Sequence, residues 1–199
     1  MNRFRTLTLS LLLAFPLAAH AQHAQDAGAA SASSASAEGK QFDFLLGQWD
    51  LQVRPKVGSL VAMIHGAPKL AGTWKAWRIF DGAGVEDEMR VVDGSGNPIS
   101  LTRALRIYAK AETRWKVTGV DAYRSRLSES SGQMQNGEMR LEGRATDAEG
   151  KPTMTRTRYY DITADGFRMQ QDRSTDNGQT WDEGVLTIEA KRTAASASP

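Results

Sequence analysis

Residues 139–145, MRLEGRA, alternate apolar or small side chains with charged ones. Successive side chains of a strand point to opposite faces of a sheet, so this period of two is typical of a strand with one buried face. The alternation recurs along the chain, whereas no internal segment keeps the 3.6-residue period of a helix. We predict about ten strands, at residues 49–53, 73–80, 85–92, 99–108, 114–122, 126–134, 138–146, 153–162, 167–174 and 181–191.

The segments between these strands have the composition of tight turns. Asn136-Gly137, Asp165-Gly166 and Asn177-Gly178 are examples, and such residues tolerate the positive φ that short hairpins require. A long meander of antiparallel hairpins can remove its exposed edges by closing on itself. The sequence therefore predicts an all-β fold, a single antiparallel up-and-down barrel of about ten strands.

Both ends of the chain differ from the strand-rich middle. Arg3 and Arg5 precede an apolar run that ends in the small-residue site Ala19-His20-Ala21, the pattern of a secretory signal peptide. Cleavage near Ala21 would make the protein periplasmic or secreted. Residues 22–40 and 193–199 are small and polar, which predicts a disordered leader and a disordered tail around a domain at 41–192.

Charge and hydropathy argue against two kinds of partner. The chain has 25 Lys and Arg and 23 Asp and Glu, and loss of Arg3 and Arg5 with the signal leaves 23 of each. A neutral, mixed-charge surface lacks the basic character that nucleic-acid binding needs, so we expect no nucleic acid. No uninterrupted apolar run reaches the roughly eighteen residues of a membrane span, so we expect no membrane insertion. The sequence makes no prediction of the oligomeric state.

Few residues are available for catalysis or metal binding. There is no Cys, and His65 is the single His of the predicted domain, which argues against nucleophilic triads and excludes zinc sites of several His or Cys. We expect no metal, no cofactor and no catalytic residue. Paired carboxylates could still support a third alternative function, that of a hydrolase acting on carbohydrate. However, Glu86 and Glu88 share one strand face beside Arg90, which predicts an exposed charged row.

Residues 174–181, STDNGQTW, match the pattern S-x-D-x-G-x-T-W of the Asp-box, which recurs in the blades of sialidase propellers. A sialidase needs several copies on a much longer chain, and this sequence has one. We therefore predict a hairpin between the last two strands. Asp176 would bond the backbone of its own turn, Gly178 would take positive φ, and Trp181 would pack on the hairpin.

Residues 42–51, FDFLLGQWDL, lead from a short apolar turn into G-x-W at Gly47 and Trp49. This stretch resembles the entrance motif of the calycins, the superfamily of lipocalins and fatty-acid-binding proteins. With STDNGQTW and the hairpin meander, the mature domain resembles an uncharacterised family of secreted bacterial lipocalin-like proteins. The resemblance implies a barrel whose base is plugged by a short helical turn, with Trp49 under the lumen and covered by Lys191 or Arg192.

Two parts of the sequence suggest where a ligand would bind. The connection at residues 54–71 is longer than a hairpin needs, and its apolar Met63 and Ile64 would form a lid over the lumen or bury themselves in a surface loop or short helix. The phase of the strands predicts inward-facing Leu101, Leu105, Ile107, Trp115, Val117, Met139, Leu141, Phe167 and Met169, with Arg103, Asp121 and Gln171 in phase with them. These polar side chains would pair with one another or hold a ligand's head group in a wet cavity.

Two functions of different classes follow from this fold. The first is a non-enzymatic binding protein for a small amphipathic or hydrophobic molecule. The second is a structural or protein-interaction module with a filled barrel and no ligand. A spacious lumen would favour the first function and a filled interior the second.

Overall fold

The computed structural model describes residues 36–58, 68, 70–147 and 149–194. The predicted signal peptide at 1–21, most of the leader and the end of the tail lie outside the described residues. Met63, Ile64 and His65 also lie outside them, so the predicted lid stays a prediction. In the described part, no helix is both long enough and apolar enough to cross a membrane.

Ten antiparallel strands form a closed barrel in which each strand pairs with its sequence neighbours and β10 pairs with β1. The strands are β1 Gly47–Pro55, β2 Leu70–Ile79, β3 Gly84–Val92, β4 Pro98–Ala109, β5 Arg114–Asp121, β6 Arg126–Gln135, β7 Glu138–Thr146, β8 Pro152–Tyr160, β9 Gly166–Ser174 and β10 Asp182–Arg192. The predicted up-and-down barrel is confirmed.

Short 3-10 turns at Glu38–Lys40 and Asp43–Leu45 precede β1 and close one end of the barrel, which we call the base. Further 3-10 turns at Phe80–Gly82 and Lys110–Glu112 lie within the β2–β3 and β4–β5 hairpins at the same end. The opposite end, where β1 leads towards β2 and β5 turns into β6, is the mouth.

Aromatic packing fills the base. Phe42 and Leu45 are fully buried, and the Phe42 ring meets the edge of Trp115 with 4.9 Å between ring centroids. Trp49 Nε1 donates to the Leu45 carbonyl at 2.7 Å, and Arg192 Cζ lies 4.0 Å from the Trp49 ring centroid. The predicted helical plug is confirmed, and of the two basic candidates Arg192 is the one that covers Trp49.

Two glycines let β6 and β7 approach closely. A Cβ on Gly132 would overlap the backbone carbonyl of Arg140, and a Cβ on Gly143 would overlap that of Glu129. Both residues belong to the inward-facing rows of their strands, so they also leave space in the interior. Strongly coiled barrels need such glycines where neighbouring strands bend together.

The 174–181 segment forms the hairpin turn between β9 and β10, as predicted. Asp176 accepts hydrogen bonds from the Thr180 amide at 2.9 Å and from the Thr180 hydroxyl at 2.5 Å. Gly178 has φ +88°, and Trp181 Nε1 donates to its carbonyl at 3.1 Å. The bonds from Thr180 hold the pKa of Asp176 at about 2.

Replacing Asp176 by Ala should lower the melting temperature, because the turn amides lose their acceptor. The Asp176 pKa falls from 3.8 to about 2 on folding, so its stabilising effect should be complete above pH 4 and disappear as pH falls towards 2. Thermal melts of wild type and Asp176→Ala across this range measure the effect. Asp176→Asn, which keeps one acceptor oxygen, should lose less stability. Equal melting of wild type and Asp176→Ala at pH 7 would contradict this role.

Candidate functional site

A cavity of about 520 Å³ occupies the barrel between the aromatic base and the mouth. Side chains from all ten strands line it, because residues two apart on a strand point to the same side. Its floor includes Trp74 and Tyr159, and its upper lining includes Arg126 and Thr146. The interior is therefore filled at the base and open above it.

The cavity has two chemically different walls. Above the floor, the lining on β1, β2, β3 and β10 is apolar and includes Val53, Leu70, Met89, Val91, Leu186 and Ile188. On β6, β8 and β9 it carries hydroxyl and amide groups, including those of Ser128, Ser130, Thr155, Thr157 and Gln171. The strand order places β6 and β8 across the barrel from β1 and β3. A molecule inside would meet an apolar surface on one side and hydrogen-bonding groups on the other.

An ion pair between Asp87 and Arg106 forms part of the floor. Each side chain is 3% exposed, and Arg106 Nη1 contacts Asp87 Oδ2. Trp74 Nε1 donates to Asp87 Oδ1 at 2.8 Å, and Arg106 Cζ lies 5.1 Å from the Phe42 ring centroid. Burial lowers the pKa of the Arg106 guanidinium, and interaction with Tyr159 opposes that shift. The two charges compensate each other, so the floor is polar but neutral.

The predicted phase of β4 is wrong. Arg103 and Leu105 lie on the outer face, where Arg103 contacts Glu86 at 3.2 Å and Glu88 at 3.4 Å. Leu101 and Ile107 belong to the same outward-facing row of β4, since they alternate in step with Leu105. The inward-facing row comprises Ser100, Thr102, Ala104, Arg106 and Tyr108, which are polar, small or aromatic.

Pairing with the neighbouring strands explains this inversion. Tyr108 lies opposite the buried Trp115, and Arg106 lies opposite the buried Val117. Cross-strand partners share a face, so β5 fixes the phase of β4. Burial of Arg106 is tolerated because Asp87 compensates its charge. The predicted exposed row is confirmed, since Glu88 also bonds Arg90 at 2.8 Å on the outer face.

The other residues that the sequence predicts to face inward do so in the structure. Val117, Met139, Leu141, Phe167 and Met169 are buried. Trp115 is also buried, but in the aromatic base, where its Nε1 donates to Gln41 Oε1 at 3.2 Å. Asp121 and Gln171 line the cavity, and Gln171 Nε2 donates to Thr157 Oγ1 at 3.3 Å. Their role towards a ligand stays a prediction.

Sequence reasoning missed the polar floor. Asp87 stands two residues from Val85 and Met89, so strict alternation along β3 already indicates that it faces inward. The sequence pattern of β4 predicts the opposite orientation for Arg106, because the large aliphatic residues Leu101, Leu105 and Ile107 alternate out of phase with it. Within the described residues, no group of three or more His, Cys, Asp and Glu side chains is arranged to hold a metal.

Asp121 is the second carboxylate that faces the lumen. It accepts hydrogen bonds from Ser100 Oγ at 3.0 Å and Arg124 Nη1 at 2.7 Å, and from the Tyr123 amide at 3.1 Å. Burial opposes ionisation, but the bonds from Arg124 and Ser100 outweigh it and lower the Asp121 pKa. The carboxylate is therefore ionised and fully engaged.

Breaking the floor pair should be strongly destabilising. Asp87→Leu leaves a buried guanidinium without a counter-charge, which costs about 3–5 kcal/mol of unfolding free energy. The double variant Asp87→Leu/Arg106→Met should recover much of this loss, since it buries no charge. Urea unfolding measures both. Glu88→Gln, which removes a carboxylate of the exposed row, is the control and should cost about 1 kcal/mol or less. Equal losses for the single and double variants would show that charge compensation does not stabilise the floor.

No model of a known protein family matches the sequence, and no curated protein does. Among solved structures, the S-type phycobiliprotein lyase CPES from Guillardia theta is similar over 79% of this chain and 96% of its own, with 12% identity and a TM-score of 0.52. EF1p2_mFAP2b bound to DFHBI is similar over 78% and 99%, with 10% identity and a TM-score of 0.38. A de novo designed fluorescence-activating β-barrel is similar over 76% and 95%, with 11% identity and a TM-score of 0.38. The likeness to the lyase is one of fold alone.

Proposed function

We propose that the protein is an exported, non-enzymatic binding protein that holds a small amphipathic molecule in its lumen. The observation that carries this proposal is the 520 Å³ cavity with one apolar and one hydrogen-bonding wall. Small-molecule sites typically measure about 300–1,000 Å³ and combine a mostly apolar lining with a few polar groups. A barrel that served only as a structural or interaction module would have no need for this space.

Burial of apolar surface supplies the driving force. Each Å² of apolar area removed from water contributes about 25 cal/mol, from which the cost of association is subtracted. Val53, Leu186 and Ile188 offer such a surface, while Ser130 and Thr155 can satisfy polar atoms of the ligand. A preformed site of this kind is compatible with affinities in the micromolar range.

The state of the lumenal carboxylates supports a non-enzymatic role over a carbohydrate hydrolase. Glycoside hydrolysis needs a protonated acid beside a second, ionised carboxylate. Asp87 is paired with Arg106 and bonded by Trp74, and the pKa of Asp121 is lowered. In the described lumen, neither carboxylate is suited to donate a proton.

Filling the cavity should abolish binding without unfolding the barrel. Ser130 lines the cavity, whereas Ser131, the next residue of β6, pairs across strands with the exposed Lys116 and Glu142. Ser130→Phe should weaken uptake of a fluorescent fatty acid by about tenfold or more, because its ring occupies the ligand's space. Ser131→Phe, the matched control, should bind like wild type. Titration gives the affinities and circular dichroism checks the fold.

If wild type takes up the probe saturably and Ser130→Phe binds it equally well, the binding site lies outside the lumen. If no such probe binds the wild-type protein at all, the proposed function fails, and the interaction module becomes the better explanation.

Export rests on the basic, apolar and small-residue regions of residues 1–21. Expression of the full chain in a Gram-negative host should give a periplasmic protein that begins at Gln22. Intact-mass spectrometry of the periplasmic fraction measures this. A chain that keeps residues 1–21 and stays in the cytoplasm would overturn the export proposal without affecting ligand binding.

A further inference from the structure

Arginine side chains line the upper cavity near the mouth. Arg124, Arg126 and Arg173 all contribute to its lining. Arg124 is engaged by Asp121, at 2.7 Å between Nη1 and Oδ2. Arg126 and Arg173 are half-buried, and each stands on an inward-facing row of its strand.

The carboxylates directly opposite the two arginines are bound to other cations. Arg126 is in register with Asp121, which Arg124 engages. Arg173 is in register with Asp182, which Lys56 Nζ contacts at 2.5 Å. Among the described residues, no carboxylate oxygen lies within 4.0 Å of either guanidinium, and neither donates a hydrogen bond to a protein acceptor.

Asp147 and Asp176, two further carboxylates near the mouth, are engaged within their own turns. Asp147 accepts from the amides of Glu149 and Lys151 at 3.0 and 2.8 Å. Arg126 and Arg173 are therefore two charges on the cavity lining near the mouth that no described carboxylate contacts directly.

Hydroxyl groups lie beside Arg173 on the inner face of the barrel. Ser130, Gly143, Thr155 and Arg173 follow one another in register across β6, β7, β8 and β9. Gly143 contributes no side chain, so the row presents two hydroxyls beside one guanidinium. Guanidinium and hydroxyl donors together are well suited to carboxylate, sulfonate or phosphate oxygens.

We propose that Arg126 and Arg173 form an anion-binding subsite at the mouth, and that the lumenal ligand is an amphipathic anion with its charged group there and its apolar body below. This inference rests on the proposed function and adds the charge and orientation of the ligand. The floor is not an equivalent site, because Asp87 already compensates Arg106.

A pair of probes that differ only in charge tests the subsite. Dansyl-undecanoic acid and its methyl ester are titrated by fluorescence into the purified mature protein. The acid should bind about fivefold or more tightly than the ester, and added salt should reduce that advantage. Arg126→Gln and Arg173→Gln should each weaken binding of the acid by about threefold to fivefold and leave the ester within about twofold. Arg144→Gln is the control, because Arg144 is exposed and pairs with Glu129 on the outer face of β7.

The possible results separate the two proposals. Equal binding of acid and ester overturns the anionic subsite and leaves lumenal binding intact. Loss of affinity for both probes in either variant also overturns the subsite, since the arginine would then act on the cavity and not on the charge. Failure of both probes to bind wild type contradicts the proposed function itself.

Discussion

The buried pair of Asp87 and Arg106 determines how the interior of this barrel is divided. Below it, Phe42, Trp115 and other aromatic side chains fill the base, and above it the cavity begins. A charged side chain at this depth is tolerated only with a partner in contact, since a lone guanidinium would cost several kcal/mol to bury. Asp87 provides that contact from β3, and Trp74 satisfies its second oxygen. The pair thus gives the lumen a polar and neutral floor.

The same pair affects the outer surface. With Arg106 inward, every second residue of β4 from Leu101 to Ile107 must face outward, on the same outer surface as the exposed Val120 of β5 and Leu127 of β6. Leu105, Thr118 and Leu127 line a groove on the outer face. The inner face of β4 therefore carries Ser100, Thr102 and Ala104 in place of large apolar residues. Their small side chains leave room for the cavity.

The architecture could be predicted because hairpin turns and period-two alternation are local properties of the sequence. β7 shows this, since Met139 and Leu141 are buried while Arg140 and Glu142 between them are exposed. The site was harder to predict from the sequence, because a buried ion pair is an exception to the rule that apolar residues face inward. Asp87 is in phase with Val85 and Met89, whereas the aliphatic Leu105 and Ile107 next to Arg106 on β4 are out of phase with it. The pairing of Arg106 with Val117 and of Tyr108 with Trp115 sets its phase, and the register of that hairpin is a property of the folded strands.

The lumen is electrostatically asymmetric along its axis. A head group placed at the floor would compete with Asp87 for Arg106 and would lose its own hydration, which is costly in a buried site. At the mouth, a head group would meet Arg126 and Arg173 while part of its hydration remained, so its desolvation cost is smaller. An apolar body extending towards Trp74 would still contact the wall of Val53 and Ile188. These opposing terms favour a ligand that enters with its apolar end first and keeps its charge near the water.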